Sequence, residues 1–101
     1  MSNDQFMKQV FTEGRTHRFF KDRPIDESLL HRLYELAKIA PSSSNLCPMR
    51  ISFVVSKQQK QMVIDAAAEG NKPKIESAPV VAIVAHDTRF TDHIEKLAPF
   101  M

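Results

Sequence analysis

The most informative stretch of this 101-residue chain is Ala40-Pro41-Ser42-Ser43-Ser44-Asn45-Leu46-Cys47-Pro48, residues 40–48. Its prolines and serines indicate a loop, because proline interrupts helices and serine favours turns. Small hydroxyl side chains let a backbone approach a ligand closely, and an asparagine amide both donates and accepts hydrogen bonds. The alternative is a plain polar linker between a helix and a strand, and composition alone favours that linker.

Two amphipathic helices are predicted upstream of this loop. The first ends at Gly14, whereas the second is capped by Asp26 and ended by Pro41. Each helix carries apolar residues at the spacing that places them on one face. These apolar residues are Phe6, Met7, Val10 and Phe11 in the first helix, and Leu29, Leu30, Leu33, Leu36, Ala37 and Ala40 in the second.

Downstream of the loop the pattern alternates between strand and helix. Residues 51–55 form a short β-rich run, residues 57–68 a helix closed by Gly70, and residues 74–77 a further helical turn. Residues 80–85 are continuously apolar, which is typical of a strand covered on both faces. Two strands make an unstable sheet in water, so we expect the sheet to be incomplete in this chain.

Arg15, Thr16 and Arg18 follow the first helix as a basic segment. Two guanidinium groups with a hydroxyl between them suit a phosphate, because arginine offers paired donors in a fixed geometry. A solvated basic surface is the alternative, and spacing alone favours it. A small nucleic-acid-binding protein is a further hypothesis. It is disfavoured because the other basic residues are dispersed among acidic residues and the net charge is only +2.

A third polar site pairs Asn71 with Lys74, three residues apart and therefore able to share one face of a helical turn. A helix terminus with a solvated lysine is an equally good explanation. Arg50 could meet a substrate carboxylate, although an exposed arginine at a strand start is the simpler interpretation. The four histidines have no metal-ligand spacing, and no metal site is predicted.

Composition is that of a soluble globular protein, with 43% hydrophobic and 26% charged residues. The single cysteine excludes an intrachain disulfide, which fits a reducing compartment. The N-terminus lacks the pattern of a secretory signal, and the longest apolar stretch is far short of a membrane span. We therefore expect a cytoplasmic protein without a membrane or nucleic-acid partner.

Taken in order, these segments resemble the nitroreductase family. The resemblance lies in Arg15-Thr16-His17-Arg18-Phe19 before a proline-led helix, in Pro41-Ser42-Ser43-Ser44-Asn45 after it, and in Asn71 followed by Lys74. It covers nearly the whole chain, and within the family it is similar to the subgroup that contains malonic semialdehyde reductase. The resemblance implies an α+β, nitroreductase-like fold, with helices packed around a sheet of which residues 1–101 supply the N-terminal portion.

The same resemblance implies an FMN-dependent NAD(P)H oxidoreductase that passes hydride through flavin N5 to a small semialdehyde, nitro compound, quinone or enal. It implies a homodimer with FMN at the interface and no side chain acting as a nucleophile. An inactive fragment that binds FMN only with a complementary chain is the alternative. The implied FMN-binding residues are Arg15, Thr16 and Arg18 at the phosphate and ribityl chain, Pro41, Ser42, Ser43 and Asn45 at the partner subunit's flavin, and Asn71 and Lys74 at the ring.

Overall fold

The computed structural model describes residues 2–100 and begins with helix α1, Asn3–Met7, which continues as a π-helical turn over Lys8–Thr12. A reciprocal capping box starts this helix. The Gln5 backbone N–H donates to Ser2 Oγ at 3.1 Å, and the Ser2 backbone N–H donates to Gln5 Oε1 at 3.0 Å. Two otherwise unsatisfied backbone donors of the first turn are thereby paired.

Gly14 follows the end of this helix, as predicted. A Cβ atom at this position would lie 3.0 Å from the Val10 carbonyl oxygen and 3.1 Å from the Gln9 carbonyl oxygen. A side chain would therefore press on the backbone of the preceding turn, and glycine lets the chain leave the helix without that clash.

Helix α2 spans Glu27–Ala37, with Asp26 in extended conformation at the N-cap position. The position of the cap is as predicted, but the Asp26 side chain makes no capping hydrogen bond. The helix stops before Pro41 because proline disfavours helical geometry in the residue ahead of it. Of its apolar stripe only Leu30 is buried.

A two-stranded antiparallel sheet joins the two halves of the chain. Strand β1 is Met49–Val54 and strand β2 is Val81–His86, paired from Met49 opposite His86 to Val54 opposite Val81. Both predicted strands are present, each displaced by one or two residues. The Asp87 N–H continues the pairing by donating to the Pro48 carbonyl at 2.8 Å.

Two helices connect the strands. Helix α3, Lys57–Ala66, is capped by Ser56, and a 3₁₀ turn over Glu69–Asn71 leads into helix α4, Lys72–Ser77. The predicted helix over residues 57–68 thus ends two residues early, and the prediction that Gly70 closes it is wrong, because Ala67 is the C-cap residue and Gly70 lies within the 3₁₀ turn. Lys60 Nζ donates to the Ala78 carbonyl at 2.8 Å, so a cation of α3 satisfies an acceptor just beyond the C-terminal end of α4.

The last described segment contains a 3₁₀ turn over Phe90–His93 and helix α5, Ile94–Leu97. The final residue of the chain, Met101, lies outside the described range. Across residues 2–100, every helix is too short or too polar to cross a membrane.

The hydrophobic core is small for the length of the chain. Its radius of gyration is 17.1 Å, against about 13 Å for a compact domain of this size. The accessible surface is 8696 Å², whereas a folded monomer of this mass exposes roughly 5,800 Å². The buried apolar residues of the described part are Leu30, Leu46, Val54, Ala78 and Ala98.

Strand β2 lacks the two covering layers that its apolar sequence predicts. All its residues after Val81 are exposed, including Ile83 and Val84. The helices of the described chain are short, and most of the α2 stripe faces solvent, so they cannot cover both faces of the sheet. The structure is therefore α+β with an incomplete sheet, as expected.

Leu30 and Leu33 of α2 provide a matched test of this packing, since they are 9% and 50% exposed. Leu30→Ala should lower the free energy of unfolding by about 2–3 kcal/mol through lost burial and a residual cavity. Leu33→Ala should cost less than about 1 kcal/mol. Urea denaturation of the two variants measures both values, and equal losses would mean that Leu33 is covered in solution.

Candidate functional site

The loop between α2 and β1 has an unusual backbone. Ser44, Asn45 and Cys47 adopt φ angles of 51°, 57° and 50°, within the left-handed region. Non-glycine residues rarely take this conformation and need surrounding contacts to hold them there. Three such residues within four positions indicate a tightly specified loop, rather than the plain linker that composition favours.

Hydrogen bonds inside the loop supply some of these contacts. Ser42 Oγ accepts from the Cys47 N–H at 3.0 Å, which closes the loop across five residues. Cys47 Sγ donates to the Asn45 carbonyl at 3.2 Å. Asn45 Nδ2 donates to the Leu97 carbonyl at 3.2 Å and so ties the loop to α5. The Asn45 amide is therefore already engaged within the chain.

A cleft of about 370 Å³ lies beside this loop. Pro41 and Ser42 line it, whereas Ser43 and Asn45 do not. Its other walls come from the end of α2, the connecting loop and the start of β1, namely Tyr34, Ala37, Lys38, Ala40, Cys47, Pro48, Met49 and Arg50.

The basic segment lies on the surface, with Arg15, Thr16 and Arg18 all exposed. Arg15 lines a second cleft, of about 620 Å³, together with Lys8, His17 and four further residues. Thr16 and Arg18 do not line this cleft. Lys8 and Arg15 bring positive charge to this cleft, which a phosphate group requires, and the carboxylate of Glu13 on its wall offsets part of that charge.

Asn71 and Lys74 share one face at the start of α4, as their spacing predicts. Lys74 Nζ donates to Asn71 Oδ1 at 3.4 Å. Asn71 is exposed and Lys74 half-buried, so the amide and the ammonium group form a fixed polar pair at the surface.

Ser77 connects the basic segment to α4. Its hydroxyl accepts from the Phe20 N–H at 3.1 Å and donates to the Lys74 carbonyl at 3.3 Å. The segment that carries Arg15 and Arg18 is thus attached, two residues beyond Arg18, to the helix that carries Lys74. Neither of the two clefts described above is lined by more than one of the three predicted segments, and the convergence of these segments on one ligand stays a prediction.

Asp87 forms a polar cluster that the sequence patterns do not reveal. Its Oδ2 lies 3.2 Å from Arg50 Nη2 and 3.2 Å from His93 Nε2, and its Oδ1 accepts from the Arg89 N–H at 2.8 Å. These residues come from β1, the end of β2 and the following turn. The available signal was an aspartate directly after an apolar strand, at the end where antiparallel pairing returns the chain to residue 48.

The Arg89 N–H holds the pKa of Asp87 below its ordinary value of 3.8; His93 and Arg50 add to this shift, against the opposing effect of partial burial. A carboxylate whose pKa is lowered by folding stabilises the folded state at pH values above its pKa in the unfolded chain. That contribution is lost as the pH falls through the lowered folded value.

Asp87→Asn should therefore destabilise the chain near neutral pH, and the difference from wild type should shrink below about pH 4. Urea midpoints measured between pH 2 and 7 would test this. Val54→Ala, which removes no titrating group, should keep its deficit throughout the range. A deficit of Asp87→Asn that persists unchanged in acid would contradict the electrostatic origin.

Known proteins resemble this chain over most of its length. The nitroreductase family model matches residues 12–99. A "Putative NADH dehydrogenase/NAD(P)H nitroreductase" of Leptothrix cholodnii is 41% identical over 95 residues, covering 94% of this chain and 48% of that protein. One of the same description from Burkholderia lata is 41% identical over 97 residues, covering 96% and 50%. The chain spans about half the length of the curated relatives that it matches.

Solved structures give the same result for the fold. A crystal structure of "a putative nitroreductase in complex with FMN" from Exiguobacterium sibiricum matches with a TM-score of 0.76 at 26% identity, covering 89% of this chain and 42% of that one. A Parabacteroides distasonis structure matches with a TM-score of 0.65 at 19% identity, covering 79% and 46%, and supports the fold alone. The α+β fold, the order of the polar segments and the match over residues 12–99 together establish that this chain belongs to the nitroreductase family.

Proposed function

We propose that this chain is the N-terminal portion of a nitroreductase-like domain and contributes the FMN site of an NAD(P)H-dependent oxidoreductase. The hydrogen bond from the Phe20 N–H to Ser77 Oγ carries the proposal, because it attaches the basic segment to the helix that bears Asn71 and Lys74. The FMN in the Exiguobacterium structure supports FMN as the cofactor. The relatives' description as NAD(P)H nitroreductases supports NAD(P)H as the electron donor.

The donor set of the chain fits FMN. Arg15 and Arg18 offer guanidinium donors and Thr16 a hydroxyl, the groups that bind phosphate oxygens best. The ring's pyrimidine edge presents both a donor and acceptors, which matches the amide of Asn71. Pro41, Ser42, Ser43 and Asn45 would reach the flavin bound to the partner subunit.

Bound FMN would supply hydride transfer between a nicotinamide and a small electrophile. The part of Lys74 is electrostatic, since its ammonium group, held 3.4 Å from the Asn71 amide, would stabilise negative charge on the reduced ring. The protein residues bind and orient, and none acts as a nucleophile. A semialdehyde, nitro compound, quinone or enal is the expected acceptor, and the sequence resemblance to the subgroup that contains malonic semialdehyde reductase keeps a semialdehyde among them.

A homodimer or a complementary chain is required by the same proposal. The chain exposes roughly 2,900 Å² more surface than a folded monomer of its mass, well above the ~800 Å² that each partner buries in a standard interface. Large apolar side chains account for much of it, among them Phe19, Leu36, Ile39 and Val84. The second candidate function, an inactive fragment that binds FMN only with a complementary chain, rests on this surface.

Comparison of FMN with riboflavin separates the phosphate contacts from the ring contacts. Arg15→Met should weaken FMN binding about tenfold, the effect of losing one charge-assisted hydrogen bond, and leave riboflavin binding unchanged. Lys74→Met should weaken both. Quenching of flavin fluorescence during titration measures each dissociation constant.

Arg32→Met is the matched control, because it removes the same charge from the exposed surface of α2. It should bind both flavins as wild type does. Equal losses of FMN and riboflavin in Arg15→Met would contradict the phosphate role. If the wild-type chain binds neither flavin, the proposal that this chain binds FMN without a complementary chain is wrong.

The association state separates the two candidates. A flavin-binding homodimer should sediment at twice the chain mass and should melt at a temperature that rises with added FMN, because ligand binding stabilises the folded state. A chain that melts cooperatively as a monomer would contradict the need for any partner. A chain that folds only after a complementary chain is added would favour the inactive fragment.

A further inference from the structure

The Asp87 carboxylate joins three segments of the chain at one point. Besides its bonds to Arg50, His93 and the Arg89 N–H, it is well shielded, with 24% of its side-chain area exposed. The backbone N–H of the same residue donates to the Pro48 carbonyl at 2.8 Å. Asp87 therefore contacts the end of the Pro41–Pro48 loop directly and also reaches it through Arg50.

Arg50 connects the Asp87 carboxylate to the Pro41–Pro48 loop. Its Nη2 faces Asp87 at 3.2 Å, while its Nη1 donates to the carbonyls of Cys47 and Met49, each at 2.9 Å. The guanidinium group is planar and rigid, so a carboxylate that fixes one nitrogen also fixes the direction of the other. The orientation of these two carbonyls thus depends on Asp87.

The loop needs such support because of its backbone. Ser44, Asn45 and Cys47 are left-handed, a conformation that asparagine tolerates but that costs about 1–2 kcal/mol for a residue such as Ser44 or Cys47. Strain of this kind persists only where the surrounding structure over-determines it. At Cys47, the contacts with Ser42 on one side and Arg50 on the other meet that requirement.

We propose that Asp87 is a positioning residue for the Pro41–Pro48 loop: its carboxylate orients the Arg50 guanidinium, which holds Cys47 in its left-handed conformation. Asp87 touches no ligand in this role. The consequence for catalysis rests on the proposed function, in which this loop lies against the partner subunit's FMN. The effect on the loop itself stands independently of any cofactor.

Cys47 is the natural reporter, since it is the single cysteine of the chain, is exposed and lies within the loop. Its thiol donates to the Asn45 carbonyl at 3.2 Å, so release of the loop should free it for alkylation. Asp87→Asn should raise the rate of maleimide alkylation at neutral pH about tenfold, the effect of losing one charge-assisted hydrogen bond.

Arg50→Gln separates positioning from simple electrostatics. Loss of a nearby negative charge favours the thiolate, whereas loss of a nearby positive charge disfavours it. Positioning predicts that Asp87→Asn and Arg50→Gln both accelerate alkylation, although they change the local charge in opposite directions. The double variant should be no faster than the faster single variant, because both substitutions break one connection.

The proposal would be overturned if Asp87→Asn accelerated the alkylation of Cys47 while Arg50→Gln slowed it. It would also be overturned if the effects of the two substitutions on this rate were additive in the double variant. Val54→Ala provides the control for general destabilisation, because Val54 is buried at the opposite end of β1. Equal acceleration by Val54→Ala would also overturn the proposal.

FMN titration of the same variants keeps the two proposals distinct. If the wild-type chain binds FMN, Asp87→Asn should raise the dissociation constants of FMN and of riboflavin by the same factor. The reason is that, in the proposed function, the loop faces the flavin ring and not the phosphate. Failure of wild type to bind FMN contradicts the proposed function only, and the Cys47 rates still decide the role of Asp87. If Asp87→Asn leaves the alkylation rate of Cys47 unchanged while the wild-type chain binds FMN, the positioning role of Asp87 is overturned and the proposed function is not.

Discussion

The pairing of Met49–Val54 with Val81–His86 is the contact on which the rest of this chain depends. It joins the part of the sequence that contains the loop to the part that contains α4 and the tail. Because the strands are antiparallel, the start of β1 meets the end of β2. Pro48, Arg50 and Asp87 therefore converge without any sequence-local signal. The same register leaves the helical connection of residues 57–77 at the other end of the sheet.

Local chemistry accounts for most of what the sequence predicts correctly. The period of the apolar residues identifies the helices and strands, and Gly14 and Pro41 mark the ends of the first two helices. Boundaries shift by one to three residues because the last turns of a helix fray and are completed by 3₁₀ geometry. The i, i+3 spacing of Asn71 and Lys74 is likewise local, so their contact could be foreseen.

Contacts between distant residues could not be foreseen in this way. The bond from Phe20 to Ser77 spans 57 residues and uses a backbone donor, which leaves no trace in the sequence pattern. The ion pair of Arg50 with Asp87 spans 37 residues and depends on the strand register. The left-handed backbone of Ser44, Asn45 and Cys47 is also unexpected, because asparagine alone among them commonly adopts it.

A sheet of two strands has two edges and no interior, so within residues 2–100 each strand presents one side of backbone N–H and C=O groups without a neighbouring strand. Along β2 this side belongs to Val81–His86, a short segment without aspartate, glutamate, lysine or arginine and rich in β-branched residues. Such a segment is a template for intermolecular β-pairing and for aggregation. A delay in covering this edge during synthesis and folding would leave β2 open to self-association.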